Sequence, residues 1–273
     1  MSAADDVLVS LGCDYITATA KERHAAERLH EFGSNQFRVQ RDFGNKSKPW
    51  GMAGFTGFKC GSVQVGSRGG EVCVRLSSDS AARSWRGLLD HAQNVSRIDL
   101  QATVRHLDQP TRVIDKHRRR ARKNSEKYKN RRRVRWVQEH HGGYTLYVGN
   151  RQSNVFGRIY DKWEESKEDY FAGCVRYEGQ YQNRLAWHVA NSLYATGSPI
   201  ILVASYLSQF FQGRGVPLEL QVDPTARYSC SRLRSDDDKN LSWLQNAVRP
   251  TVRRLIDSGK GEEVFRALGL IDE

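Results

Sequence analysis

The sequence predicts an α+β fold, an antiparallel β-sheet core with flanking helices and a helical C-terminal part. Three observations carry this reading. Residues 37–76 break into short alternating runs punctuated by Gly44, Gly51, Gly54, Gly57, Gly61 and Gly66, the texture of antiparallel hairpins. Residues 95–104, 143–148, 155–162 and 174–182 are short segments with strand composition or period-two alternation. From Arg184 onward the spacing turns helical, and Leu241, Leu244, Val248, Val252, Leu255 and Ile256 share one face.

In chain order, the β-branched and aromatic residues of 14–19 predict a strand. A helix over 21–32 follows, closing at Gly33. A second helix over 81–93 leads into the strand at 95–104, expected to have one wet face. Strands resume at 143–148 after a basic interruption, and Pro250 kinks or opens the last helix. No internal repeat or low-complexity linker interrupts the chain, whose 273 residues hold one large domain or two small ones. The expected division is a core over 1–195 carrying a basic segment at 115–135, with a helical part over 196–273 packed on it.

Lys and Arg number 43 against 31 Asp and Glu, a net charge of +12, so a polyanion is the leading partner. Twelve of these cations lie between Asp115 and Arg135, among them Arg118, Arg119, Arg120, Arg122, Lys123, Arg131, Arg132 and Arg133. Asp115 and Glu126 are the only acids there. A solvated helical face normally interleaves Glu with Lys, and this run does not. So much like charge is expected to need a counter-charge, which a phosphate backbone supplies. His117 and Arg120 form an H-x-x-R like that of tyrosine recombinases, a match that any His in so Arg-rich a run would make.

The longest apolar stretch, 199–204, is far short of a membrane span of about 20 residues. Asp5 and Asp6 stand where a signal peptide would carry basic residues, so the expected location is cytoplasmic, with no membrane partner. Five scattered cysteines without a C-x-x-C pair exclude a zinc ribbon and argue against a disulfide framework.

Strand alternation groups Arg97, Asp99 and Gln101 on one face, Arg158, Tyr160 and Lys162 on another, and Arg176, Glu178 and Gln180 on a third. Side by side, these faces suit phosphoryl transfer. Asp99 and Glu178 offer hard oxygen ligands for Mg²⁺ or Mn²⁺, with Gln101 or Gln180 as a neutral third ligand. Tyr160 is the candidate nucleophile, and Arg158 and Lys162 are expected to lower its pKa or stabilise the developing phosphate charge. The alternative is a solvent-facing sheet laced by Arg–carboxylate pairs, with Tyr160 merely packing. Asp14 is the weaker candidate, because it shares parity with Ile16 and Ala18.

Tyr144-Thr-Leu-Tyr-Val-Gly149-Asn-Arg151-Gln-Ser153, then Arg158-Ile-Tyr160-Asp-Lys162, then Arg176-Tyr-Glu178 resembles the Rep_trans replication initiation factor family. That family includes rolling-circle initiators of plasmids, filamentous-phage replication proteins and some conjugative-element relaxases. Its pattern is T-x-Y-x-G-S-R-x-S, then R-x-Y-x-K, then R-x-E, and Arg97-Ile-Asp99 resembles its upstream R-x-D strand. The resemblance implies an HUH/RRM-like palm in which Tyr160 attacks a DNA phosphodiester and stays linked to the 5′ phosphate while a 3′ hydroxyl primes replication. It implies metal binding by Asp99 and Glu178 and phosphate contact by Arg151 and Ser153. Asn150 stands where the family usually has Ser. The related HUH endonucleases bind metal through His-x-His, which this sequence lacks.

The partners implied are origin DNA, double- and single-stranded, a host helicase and a second copy of the chain. Two other functions fit the sequence, a non-catalytic protein binding single-stranded nucleic acid by stacking and a relaxase of a conjugative element. A tyrosine recombinase would be mostly helical, against the strand texture.

Overall fold

The computed structural model describes residues 6–127, 134–138, 143–196, 198–218 and 220. Backbone contacts divide the chain into a unit of residues 1–228 and another of 229–273, and every described residue belongs to the first. The helical seam expected from Leu241 to Ile256, and Arg131, Arg132 and Arg133 of the basic run, lie outside the described residues.

The elements run β1 (Val7–Ala20), α1 (Arg23–Asp42), β2 (Ser47–Met52), β3 (Phe55–Cys60), β4 (Val63–Arg68), β5 (Glu71–Ser77), α2 (Ser78–Leu89), β6 (Asn94–Arg105) and α3 (Pro110–Lys127). Then come β7 (Val134–Gln138), β8 (Tyr144–Gly149), β9 (Val155–Asp161), α4 (Lys162–Ser166), β10 (Cys174–Gln182), α5 (Asn183–Ala195) and α6 (Pro199–Gln212). The ten strands form one antiparallel sheet in the order β2-β3-β4-β5-β1-β6-β10-β9-β8-β7. The fold is therefore α+β, as the sequence predicts.

Register separates the two faces of this sheet. Leu76, Ile16, Ile98 and Tyr181 stand in one row across β5, β1, β6 and β10, all buried. On the same face Gly157 and Gly179 are paired across β9 and β10, and α6 comes down onto them. A Cβ on Gly157 would fall 2.4 Å from Phe210 Cε1, and one on Gly179 would fall 3.1 Å from Leu207 Cδ2. These glycines are thus required by close packing. Helix α6 packs on the sheet through Leu207, Phe210 and Phe211.

Three expectations are corrected. Helix α1 does not close at Gly33 but continues to Asp42, because Gly33 marks its closest approach to the sheet. A Cβ there would lie 2.7 Å from Val74 Cγ2. The turn comes at Gly44, with φ of 81°.

The polar side of β6 is not wet. Asp99, Gln101 and Thr103 are 3%, 9% and 0% exposed, because β6 is a central strand and arginines from it and its neighbours fold over these residues.

The described part of the basic run, in α3, has internal counter-charge and a buried seam of its own. Val113, Ile114, His117 and Ala121 supply a buried seam to α3, and its cations stay outside. Asp115 takes Arg118 and Arg119 at 2.6 and 2.7 Å, and Glu126 takes Arg122 at 3.1 Å.

Cys13, Cys60, Cys73 and Cys174 are buried and free, while Cys230 lies outside the described residues. Among the described residues, no helix is long and apolar enough to cross a membrane.

Candidate active site

The face opposite the helices carries the polar residues of β6, β10 and β9 side by side. Glu178 stands between Gln101 and Arg158, Arg176 between Thr103 and Tyr160, and Gln180 between Asp99 and Phe156. The three polar strand faces read from sequence therefore converge. A cavity of about 330 Å³ opens over them, lined by Asp14, Tyr147, Arg158, Tyr160, Arg176 and Glu178 among others.

Every carboxylate at this face has a cation or donor against it. Both oxygens of Glu178 are engaged, Oε1 by the phenol of Tyr160 and Oε2 by Arg158. Asp99 accepts from Arg97 Nε at 2.8 Å. Arg176 donates from Nε to Thr103 at 3.0 Å and reaches Asp14 at 3.5 Å. Lys162 was expected as a strand residue. Instead Asp161 caps α4 by accepting from the Trp163 and Glu164 amides at 3.0 and 3.2 Å, so Lys162 opens that helix and pairs with Glu165.

The expectation that Arg158 and Lys162 depress the phenol's pKa fails for this state. Burial, and then the negative charge of Glu178, push Tyr160 far above its ordinary value, because the two flanking cations are spent on carboxylates. Burial also raises Asp14 and Asp99, and the charge of Glu178 adds to both shifts.

A divalent cation on Asp99 and Glu178 would have to displace Arg97 and Arg158 from their oxygens. Asp99 and Glu178 are hard oxygen donors, and Gln101 stands directly across from Glu178 with its Oε1 accepting from Thr103 at 3.1 Å. Among the described residues, no three His, Cys, Asp or Glu side chains converge as a metal-binding group. Asp99 and Glu178 are the two carboxylates expected to hold a metal, and Asp14 is a third at the same cavity as Glu178.

Arg151 and Ser153 occupy the turn between β8 and β9. The Arg151 guanidinium lies 4.9 Å from the Tyr147 ring centroid, and Tyr147 stacks on Phe156 at 5.6 Å. The Ser153 hydroxyl is held within the turn by the carbonyls of Asn150, at 2.6 Å, and Val155. Arg118, Arg119 and Arg122 line a separate cavity of about 410 Å³ beside β7, Arg120 lines another of about 1070 Å³ with His117 and Tyr177, and Lys123 is exposed.

Residues 93–213, from just before β6 to just past α6, match the family model described as replication initiation factor. This stretch is similar to the replication initiation factor family. No curated protein matches the chain. A solved structure of a rolling-circle replication initiator protein from Geobacillus stearothermophilus is similar at 17% identity and a TM-score of 0.49, over 82% of this chain and 93% of that one.

The matched segment contains Asp99, Gln101, Arg151, Ser153, Arg158, Tyr160, Lys162, Arg176 and Glu178. Asp14 comes from outside it. Its parity with Ile16 argued for the core, but the β1–β6 register shifts between Cys13 and Tyr15, and that bulge turns Asp14 toward the cavity. Arg176 was visible in sequence as the first residue of R-x-E, although its grip on Thr103 and Asp14 was not. Tyr177, of opposite parity to Glu178, faces the helices, where its hydroxyl meets His106 and His117.

Proposed function

We propose that the chain starts rolling-circle replication of a plasmid or phage by metal-dependent, sequence-specific nicking of DNA and strand transfer through a 5′-phosphotyrosine on Tyr160. The observation that carries this reading is the phenol of Tyr160 donating to Glu178 at a cavity ringed by Arg158, Arg176 and Lys162. In the forward step the Tyr160 oxygen attacks phosphorus and its proton passes to Glu178. The P–O3′ bond breaks, and the 3′ oxygen leaves as a hydroxyl by taking a proton from water. Attack of a 3′ hydroxyl on the phosphotyrosine reverses these changes and releases Tyr160.

Arg158 and Arg176 flank the reacting phosphate and offset its developing charge. Asp99 and Glu178, with Gln101 as neutral donor, would hold Mg²⁺ or Mn²⁺, which supplies positive charge to the scissile phosphate. Arg151 and the α3 cations Arg118, Arg119, Arg120, Arg122 and Lys123 position the DNA backbone. Origin DNA, a host helicase and a second protomer are the partners this role requires.

The test is incubation with a supercoiled candidate origin and Mg²⁺ or Mn²⁺, scored for open circles and a covalent protein–DNA adduct mapped by mass spectrometry. Attachment at Tyr160, lost in Tyr160→Phe, is the expected result. The stack of Tyr147 on Phe156 beneath Arg151 favours one other reading, non-catalytic binding of single strands, and absence of any adduct would select it.

A further inference from the structure

The face that carries Tyr160 and Asp99 continues across the sheet onto β1, β5, β4, β3 and β2, which lie outside residues 93–213. Register lines up one residue per strand. Arg97 of β6 stands opposite Thr17 of β1, Thr17 opposite Arg75 of β5, and Arg75 opposite Gln64 of β4. Gln64 in turn stands opposite Lys59 of β3, and Lys59 opposite Lys48 of β2. At a strand spacing of about 4.8 Å, this row of six spans about 24 Å.

Aromatic rings interleave with its cations. The Arg97 guanidinium lies 4.1 Å from the Tyr15 ring centroid, and Arg75 lies 5.4 Å from the rings of both Tyr15 and Trp50. Tyr15 stands directly opposite Asp99, so the row begins at the candidate active site. At the far end Trp50 lies against Gly66, where a Cβ would fall 2.7 Å from the indole Cζ3. A side chain at Gly66 would displace the ring from the sheet.

Two of the charges on this row, those of Lys48 and Lys59, do not serve the fold. Lys48 and Lys59 face each other across β2 and β3, and like charges in such a pair are destabilising. Both are exposed, and among the described residues neither they nor Arg75 form an ion pair with a carboxylate. Glu71, on the same side of β5, is taken by Arg68 at 2.9 Å. The Nε of Arg75 is buried without a hydrogen-bond partner. On the reverse side of these strands Val65, Val74 and Ala18 pack in a row beneath α1, so the cations are gathered on the face that the long helices leave open.

We propose that this row is a track for single-stranded nucleic acid, running from Asp99 to the β2 edge. Lys48, Lys59 and Arg75 hold phosphates, and bases stack on Tyr15 and Trp50. Unpaired bases are required, because a duplex hides the base faces that the rings would meet. The proposal rests on the nicking reading only for what the strand is, and its test needs no nicking.

The test measures binding of fluorescein-labelled oligothymidylates of roughly 6, 12 and 24 nucleotides by anisotropy against salt, with the Tyr160→Phe protein and no added metal. Lys48→Ala with Lys59→Ala is expected to flatten the log–log salt slope by about 1.4, at about 0.7 per lost single-strand phosphate contact. Trp50→Ala is expected to weaken binding roughly 5- to 150-fold, the range for losing one base–aromatic stack, and Trp50→Phe to restore most of it. Circular dichroism verifies that the variants are folded, and the exposed lysine pair decides the matter if Trp50→Ala is not. Unchanged slope and affinity in the folded lysine variant overturn the track, as does an equal loss on duplex of the same length. A wild-type chain that forms no adduct refutes nicking and leaves this binding readout standing.

Discussion

Tyr160 and Glu178 meet on a diagonal of the β9–β10 ladder. Tyr160 is directly opposite Arg176 and Glu178 directly opposite Arg158, and the phenol reaches across to the carboxylate while Arg158 holds its other oxygen. The phenol is thereby aimed and kept neutral at once, since burial and the adjacent carboxylate both oppose ionisation. A nucleophile held this way needs a proton acceptor at the moment of attack, and Glu178 is already hydrogen-bonded to it.

Glu178→Gln keeps the shape of the side chain and removes its basicity. Single-turnover adduct formation on an origin oligonucleotide should fall by roughly 10²- to 10⁴-fold, the usual contribution of a positioned base. DNA affinity should change far less. Wild-type adduct rates in the folded variant would exclude Glu178 from the chemistry.

Asp99 does not line the cavity of Tyr160, yet it lies one register step from Glu178 and feels its charge. Asp99→Asn removes one of two anionic ligands from the proposed metal site. The Mn²⁺ concentration giving half-maximal nicking should rise by an order of magnitude or more, roughly the 10–100-fold range for losing a metal-supporting group. Nicking that persists in chelator would refute the site.

Strand parity made the convergence of Asp99, Tyr160 and Glu178 legible, because period-two alternation survives in any sheet. Order and irregularity were not legible. The β1–β6 bulge that brings Asp14 into the cavity leaves no mark in residue types, and Gly33 looks the same as a helix terminator and as a contact point with Val74. Arg97 with Asp99 reads in sequence as a solvated surface, whereas the pair covers the middle of a ten-stranded sheet. Side-chain pairing also hid the true state of Tyr160, since sequence shows the cations beside it but not the carboxylates that occupy them.

On α3, Arg118 and Arg119 are shared with Asp115, while Arg120 and Lys123 are exposed. Arg120→Gln with Lys123→Gln should lower the log–log salt slope for duplex DNA by about 1.8, at about 0.9 per phosphate contact. Arg118→Gln with Arg119→Gln should lower it less, because each contact is partly exchanged for one with Asp115. Asp115→Asn should tighten binding. Equal slopes across the series would place the DNA elsewhere.

Gly157 carries α6 against the sheet, and a methyl group there would meet Phe210 and Phe211. Gly157→Ala should cost about 1–3 kcal/mol, the usual penalty for overpacking a filled core. A second change, Phe210→Leu, frees space beside it and should recover part of the loss. Denaturant melts of the two single variants and the double variant give the coupling. Additive losses would mean that the approach of α6 is not set by this contact.

His117 is buried beneath α3, with Nε2 2.8 Å from the Tyr177 hydroxyl and Nδ1 without a partner. Burial, and then the nearby His106, Arg120 and Lys116, hold its pKa down at about 4 against an ordinary value of 6.5. The fold therefore binds fewer protons at this site than the unfolded chain between those two values. Stability from His117 is complete above pH 6.5 and is lost as the pH falls through about 4, on the order of 3 kcal/mol in all. His117→Gln can still donate to the Tyr177 hydroxyl but cannot titrate. Urea melts between about pH 7.5 and pH 4 should then show a flatter acid loss in the variant than in the wild type. A wild-type slope retained in His117→Gln would show that the acid loss does not come from this buried imidazole.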